Sequence, residues 1–250
     1  MSKLSASDKF FDLSDYGRPP AIWIANQLKN TKVTPIHITF VFGIVGLFAV
    51  YFILIEQFLV AGILLILKSI LDAVDGELAR LKKTPSYTGR YLDSIFDFII
   101  NLLIFAALYI ITKGSPSLTI LAFLGLLLQG TLYNYYYVIL RNNSVGGDST
   151  SRIFEYKIPK ALHGESQKKV NLLFLVYTSL YGAYDRIIYV LDGSASNCKT
   201  FPKWFMTCLS IYGLGFQLLV IVVMLNLNLT EYIIPFFICF TVFVFVLIAI

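Results

Sequence analysis

Long apolar stretches restrict how this chain can fold. Segments of about 20 apolar residues, the length that crosses a bilayer as a helix, occur at seven places: 35–55, 58–80, 90–112, 117–140, 171–191, 204–226 and 230–250. In lipid, a helix satisfies its backbone polar groups internally. The sequence therefore predicts an all-α, polytopic transmembrane helical bundle of seven spans, or of six if one of the last two lies flat or re-enters.

The composition agrees with a membrane protein and excludes other classes. Hydrophobic residues make up 57% of the 250 residues and charged residues 14%, against about 45–50% and about 25% in soluble domains. The three cysteines lack the paired spacing of a disulfide framework or a zinc site. Residues 1–11 contain no apolar signal-peptide segment. A disordered chain, a secreted disulfide scaffold and an ordinary soluble enzyme are therefore excluded.

Basic residues lie between the apolar segments, and this pattern predicts topology and lipid contact rather than nucleic-acid binding. Thirteen occur in the N-terminal arm, the 81–88 turn and the 141–170 loop, against three on the opposite side. By the positive-inside rule, we expect the thirteen to face the cytoplasm. Residues 1–34 then form a cytoplasmic arm, and residues 35–250 form the transmembrane domain with its cytoplasmic loop at 141–170.

Two polar regions permit more than one interpretation. Apolar groups around Trp23 alternate with polar ones after Pro19-Pro20, which favours a short interfacial amphipathic helix over a plain polar arm. The 141–170 loop, with Gly146-Gly147-Asp148, either recognises an acceptor headgroup or serves as a solvated connector.

Acidic residues are concentrated in the second and third spans. Five of the fifteen fall between positions 72 and 97, and they are Asp72, Asp75, Glu77, Asp93 and Asp97. Carboxylates on transmembrane helices are costly and usually functional. Spacings of three and four residues place each aspartate pair on one helical face. The short turn between the spans predicts that the two faces converge.

Clustered carboxylates repel one another and require neutralisation. Each of the two helices has one nearby arginine to neutralise them, Arg80 and Arg90 respectively. Shared protons, as in a relay, or bound divalent cations could balance the remaining charge, and oxygen ligands suit hard ions. Two such ions about 3.5–4 Å apart favour displacement at phosphorus. Small residues on the same faces leave room for a flat group, and these are Gly76, Ala79 and Gly89.

The spacing D-x2-D-G-x2-A-R-x8-G-x3-D-x3-D resembles the signature of the CDP-alcohol phosphatidyltransferase family. All eight fixed positions are present, namely Asp72, Asp75, Gly76, Ala79, Arg80, Gly89, Asp93 and Asp97. A second family element, P-N-x-x-T, is matched by Pro35 and Thr39, but Ile36 replaces its asparagine. A seventh span would also depart from the six of most members.

This resemblance implies a membrane phospholipid-synthesis transferase. It would exchange the CMP of a CDP-alcohol, either CDP-diacylglycerol or a CDP-headgroup, for an acceptor alcohol and release CMP. Two ions of Mg²⁺ or Mn²⁺ would be held by Asp72, Asp75, Asp93 and Asp97, with Asp97 also the catalytic base. The implied nucleotide-binding residues are Thr39, Gly76, Ala79, Arg80, Ser86 and Gly89.

Location and assembly can also be predicted. The apolar spans predict a multi-pass protein among membrane lipids, and the positive-inside rule predicts an active site that faces the cytoplasm. The resemblance implies a homodimer. The membrane would be the cell (inner) membrane, or the endoplasmic reticulum in a eukaryote.

The alternative function is an ion- or proton-coupled transporter that uses the aspartates as a cation path. Transporters usually bind at the bilayer midplane between repeats, whereas these acids lie toward one face and no repeat is evident.

Overall fold

The computed structural model describes Leu4, residues 8–143 and residues 150–249, and its regular elements there are all helical. The helices are α1 (Arg18–Leu28), α2 (Pro35–Leu54), α3 (Phe58–Lys82), α4 (Tyr87–Thr112), α5 (Pro116–Asn143), α6 (Gln167–Leu191), α7 (Lys203–Leu209), α8 (Leu214–Asn226) and α9 (Thr230–Ala249). Short 3₁₀ turns lie at Ser194–Asn197 and Ser210–Tyr212. The predicted all-α bundle is confirmed.

Each predicted span corresponds to a helix or to a pair of helices. In the described residues, α2, α4, α5 and α9 are long and apolar enough to cross a membrane, and the segment from α7 to α8 makes a fifth if its two bent parts form one span. Helices α3 and α6 have 25 residues each, long enough at about 1.5 Å per residue, but they are more polar. The chain is therefore a multi-pass membrane protein.

The sixth predicted span is broken rather than continuous. Its two parts, Lys203–Tyr212 and Leu214–Asn226, meet at an angle of 54°. The break falls at Gly213, whose backbone is extended (φ −66°, ψ 147°). The apolar composition of 204–226 did not reveal it, because hydropathy alone does not record where a helix bends.

Helix α1 confirms a short helix within the N-terminal arm. It begins at Arg18, so Pro19-Pro20 lie in its first turn, where the missing N–H groups have no intrahelical partner to lose. Ala21 and Ala25 are fully buried against α3, whereas Trp23 is 67% exposed. That Trp23 anchors α1 in the membrane interface stays a prediction.

The turn between the two acidic helices is defined by local capping. Lys83 ends α3 in the left-handed conformation (φ 55°). Ser86 begins α4, and its hydroxyl accepts a hydrogen bond from the Gly89 N–H at 2.8 Å. A serine at this position satisfies a backbone donor that the helix leaves unpaired.

Helix α2 supports both acidic helices, since it packs against α3 and α4. Two glycines permit its close approach to α4. A Cβ on Gly43 would lie 2.8 Å from Phe96 Cδ2, and a Cβ on Gly46 would lie 2.6 Å from Ile100 Cδ1. Small residues are the usual means of close helix contact in membranes. This contact positions the part of α4 that carries Asp97.

The last helices join the bundle through buried amides. Gln217 Nε2 donates to Gln129 Oε1 at 3.0 Å, and Gln129 Nε2 donates to Thr241 Oγ1 at 2.9 Å. These contacts link α5, α8 and α9. Because an unpaired amide in an apolar interior is costly, the hydrogen bonds specify how the three helices pack.

We expect Gly46→Ala to destabilise the bundle by about 1–3 kcal/mol, as overpacking does. The new methyl group would meet three Ile100 side-chain atoms at 2.6, 3.0 and 3.1 Å. A lower thermal denaturation midpoint in detergent measures the effect. Gly182→Ala is the matched control, because its Cβ would contact only Thr178 Cβ at 3.8 Å. Equal midpoints for the two variants would contradict this account of the α2–α4 contact.

Candidate active site

A cavity of about 1200 Å³ lies beside the acidic parts of α3 and α4. Its size exceeds the roughly 300–1,000 Å³ of common small-molecule pockets. The predicted site residues that line it are Thr39, Asp72, Asp75, Gly76, Ala79, Arg80, Ser86, Gly89 and Asp93. Asp97 is the one predicted site residue outside this lining. The fold thus brings together positions from three helices and the turn between two of them.

Three aspartates converge closely enough to share a cation. One carboxylate oxygen from each of Asp72, Asp75 and Asp93 lies within 4.8 Å of the other two. From α2, the Thr39 hydroxyl donates a hydrogen bond to Asp75 Oδ2 at 2.7 Å. Thr39 therefore orients one of the carboxylates.

The chemistry of this cluster fits a divalent cation. In the described residues, Asp93 Oδ1 is buried without a hydrogen-bond partner. Leaving such an oxygen unsatisfied is costly, and three oxygen donors around one point are what hard divalent ions prefer. A divalent cation at this point would give the orphaned oxygen a partner and would balance the clustered charge.

Asp97 pairs with Lys68 and is not part of the three-aspartate cluster. The Lys68 ammonium forms an ion pair with Asp97 Oδ1. Its side chain is only 1% exposed, and its Nζ lies 4.9 Å from the centre of the Phe42 ring. Only arginines were expected as counter-charges, so Lys68 was not predicted. A usable signal was present, since Lys68 lies four residues before Asp72 and so on the same helical face.

The two arginines of the motif region have other carboxylate partners. Arg80 Nη2 lies 2.8 Å from Glu77 Oε1, and the same oxygen is 2.7 Å from Arg18 Nη1 on α1. Arg90 pairs with Glu155. Both arginines thus pair with glutamates, so the expectation that they neutralise the aspartates is not met. Arg80 and Arg90 both remain at the cavity wall.

Gly76 presents open backbone to the cavity. A Cβ there would have only the Arg80 guanidinium nitrogens within 4 Å, both at 3.7 Å. At Gly89 a Cβ would meet Ser86 Oγ at 3.4 Å, an ordinary contact. Internal packing does not require either glycine, so the space beside them is available to a ligand.

A glutamate from the polar loop holds the start of α4. Glu165 accepts hydrogen bonds from the Ser86 hydroxyl at 2.8 Å and from the Thr88 N–H at 2.7 Å. The N–H groups of Tyr87 and Leu162 also donate to it. Burial alone would raise the pKa of the Glu165 carboxyl, but these hydrogen bonds outweigh burial and lower that pKa below its ordinary value.

Gly146-Gly147-Asp148, considered for headgroup recognition, lie outside the described residues.

The N-terminal arm and α8 complete one wall of the cavity. Asp12, Ser14 and Gly215 are among the lining residues. The Leu13 N–H donates to Ser210 Oγ at 3.0 Å, and a Cβ on Gly215 would lie 1.9 Å from the Ser14 carbonyl oxygen. Only glycine permits this approach, so the arm is closely packed against the beginning of α8.

Comparison with known proteins identifies a family. Residues 32–198, more than half of the chain, match the sequence profile of the CDP-alcohol phosphatidyltransferase family. The match includes all four aspartates and ends before α7.

Several curated proteins are similar over part of their length. A Thermococcus kodakarensis protein, the bifunctional IPC transferase and DIPP synthase, is 39% identical over 41% of this chain and 23% of its own. The archaetidylinositol phosphate synthase of Pyrococcus horikoshii is 34% identical over 32% of this chain and 43% of its own. An uncharacterized Aquifex aeolicus protein is 31% identical over 53% of this chain and 67% of its own. The matched segment thus spans less than half the length of the first two.

We expect Glu165→Gln to loosen the start of α4. Hydrogen bonds to a charged acceptor contribute about 1.5–3 kcal/mol. Because Glu165 is partly exposed, its hydrogen bond from the Thr88 N–H should contribute the lower value of this range. Protection of the Thr88 amide from hydrogen exchange should therefore fall about tenfold in Glu165→Gln. The comparison is made at pH 7 with Glu56→Gln as the exposed control.

The pH dependence of the same contact has a defined sign. Because the pKa of folded Glu165 is lowered, its stabilisation is complete above the ordinary glutamate pKa of about 4.3. It is lost as the pH falls through the lowered value. Protection of Thr88, corrected for intrinsic exchange, should therefore be equal at pH 7 and pH 5 and should decrease only in stronger acid. Loss of protection already at pH 5 would be the opposite result.

Proposed function

Because the chain belongs to the CDP-alcohol phosphatidyltransferase family, we propose that it exchanges the CMP of a CDP-alcohol for an acceptor alcohol and releases CMP. The observation that carries this proposal is the convergence of Asp72, Asp75 and Asp93 on one point of a large cavity. Three carboxylates with an orphaned oxygen fit a metal site at a phosphate-binding cavity. The cluster does not fit the cation path of an ion-coupled transporter, the alternative function.

The family depends on divalent metal ions, and we propose that two ions of Mg²⁺ or Mn²⁺ serve this chain. Asp72, Asp75 and Asp93 would hold them, with Asp97 as the fourth acidic group. When bound, such ions act as Lewis acids on the diphosphate oxygens.

The base of the reaction would be Asp97. Its carboxylate takes the proton of the acceptor hydroxyl. The hydroxyl oxygen then forms a bond to the phosphorus that carries the donor's alcohol, and the bond from that phosphorus to the CMP oxygen breaks. CMP leaves with the electron pair of the broken bond. The Asp97 side chain is 15% exposed and lies about one helical turn beyond Asp93, which lines the cavity.

The small residues indicate which part of the cavity would bind the nucleotide. The open backbone at Gly76 and Gly89, together with Ala79, would receive the flat cytosine and its sugar. Arg80, oriented by its ion pair with Glu77, would contact a phosphate. Ser86 would reach the diphosphate only after it gives up its hydrogen bond to Glu165.

The acceptor is proposed to be a phosphorylated polyol. One relative is named an archaetidylinositol phosphate synthase, and a phosphate on the acceptor needs basic neighbours. Lys83, His163 and Lys169 line the same cavity, where they would attract an anionic headgroup.

We further propose a domain organisation, a membrane location and an oligomeric state. Residues 1–34 form an arm whose α1 lies in the membrane interface, and residues 35–250 form the transferase domain. The positive-inside rule predicts that the cavity faces the cytoplasm. The membrane proposed is the cell (inner) membrane or, in a eukaryote, the endoplasmic reticulum. A homodimer is proposed from the family resemblance.

Asp93→Asn is expected to lower CMP release by more than about 100-fold, since loss of a metal ligand removes several kcal/mol of transition-state stabilisation. Asp97→Asn should have a similar effect through loss of the base. The assay follows CMP release by purified protein in detergent with Mg²⁺ or Mn²⁺. The first substrate pair is CDP-diacylglycerol with inositol phosphate, and the second is CDP-choline with diacylglycerol. Glu231→Gln, on an exposed residue of α9, is the charge-matched control.

Chelation gives an independent check of the same site. EDTA should abolish CMP release, and added Mg²⁺ or Mn²⁺ should restore it. Undiminished release from Asp93→Asn, or release that persists in EDTA, would contradict the proposed metal site.

A further inference from the structure

The ion pair between Lys68 and Asp97 lies next to the proposed site without lining its cavity. On α3, Lys68 precedes Asp72 by four residues, and on α4, Asp97 follows Asp93 by four residues. Four residues correspond to about 6 Å along a helix. The pair Asp72–Asp93 therefore lies at the cavity, and the pair Lys68–Asp97 lies about one turn farther from it.

The surroundings of Lys68 fix its ammonium in one place. The side chain is 1% exposed, and its Nζ faces the Phe42 ring at 4.9 Å. An ammonium buried in this way requires a charged partner. Asp97 Oδ1 supplies it, so neither side chain can turn away without leaving a buried charge unpaired.

The two oxygens of Asp97 consequently differ in their environment. Asp97 Oδ1 accepts a hydrogen bond from the Lys68 ammonium, and the Asp97 side chain as a whole is 15% exposed. A base that must accept a proton from a bound hydroxyl gains from a fixed position, because misplacement by about 1 Å can cost about 100-fold in rate.

We propose that Lys68 is a positioning residue for the transfer reaction: by binding Asp97 Oδ1, it directs Oδ2 toward the acceptor hydroxyl. The inference rests on the proposed function and adds a residue outside the family signature. The proton passes from the acceptor hydroxyl to Oδ2, the acceptor oxygen bonds to phosphorus, and CMP leaves. Lys68 itself exchanges no proton in this step.

The test compares Lys68→Met with Lys68→Arg. Lys68→Met removes the charge at similar length, so kcat for CMP release should fall by about 100-fold. KM for the CDP-alcohol should stay within about twofold, because Lys68 does not line the cavity. Lys68→Arg keeps the charge and should recover part of kcat. Lys113→Met is the matched control, since Lys113 is exposed at the far end of α4, about 24 Å along the helix from Asp97.

A second readout separates positioning from folding. Mn²⁺ binding is measured by electron paramagnetic resonance without substrate. Lys68→Met should bind Mn²⁺ at least as tightly as the unaltered protein, because a positive charge near the acidic cluster has been removed. Weaker Mn²⁺ binding in Lys68→Met would overturn the proposal, since it would mark Lys68 as a residue needed to build the site.

The remaining outcomes are also decisive. An unchanged kcat in Lys68→Met, or a kcat in Lys68→Arg no higher than in Lys68→Met, overturns the positioning role while leaving the transferase function intact. Absence of CMP release from the unaltered protein with both donors would overturn the proposed function, and this inference with it.

Discussion

The carboxylates of Asp72, Asp75 and Asp93 meet inside a bundle whose sequence is otherwise largely apolar, and much of the surrounding structure compensates for that charge. Thr39 donates a hydrogen bond to one of them from α2. Ion pairs lie on either side of the cluster: Lys68 with Asp97, and Glu77 with two arginines. These contacts leave an acidic centre with one buried oxygen unsatisfied, a situation that a divalent cation resolves.

Features that depend on residues close in sequence were predictable. The four aspartates are spaced by three or four residues, which places each pair on one helical face. Three of them line the cavity together with the small residues of the same motif. The helical composition followed from apolar length alone. Local periodicity determines such features because side chains three or four residues apart share a helix face.

Features that depend on distant residues were missed. Glu165 binds Ser86 across 79 positions, and Arg90 donates to Glu155 across 65. Neither distance leaves a pattern in a single sequence. Lys68 was overlooked for a different reason: its four-residue spacing from Asp72 was visible in the sequence, but its ion pair with Asp97 on α4 depends on the fold. The bend at Gly213 likewise depends on how α7 and α8 pack.

The amide contacts of Gln129 have a consequence for how this protein can be divided. The family match ends at residue 198, yet Gln129 within it donates to Thr241 and accepts from Gln217, both beyond that limit. A chain cut at the family boundary would expose an unsatisfied amide to hydrocarbon. Helices α8 and α9 are therefore an integral part of the folding unit, and a minimal catalytic fragment cannot be chosen by homology alone.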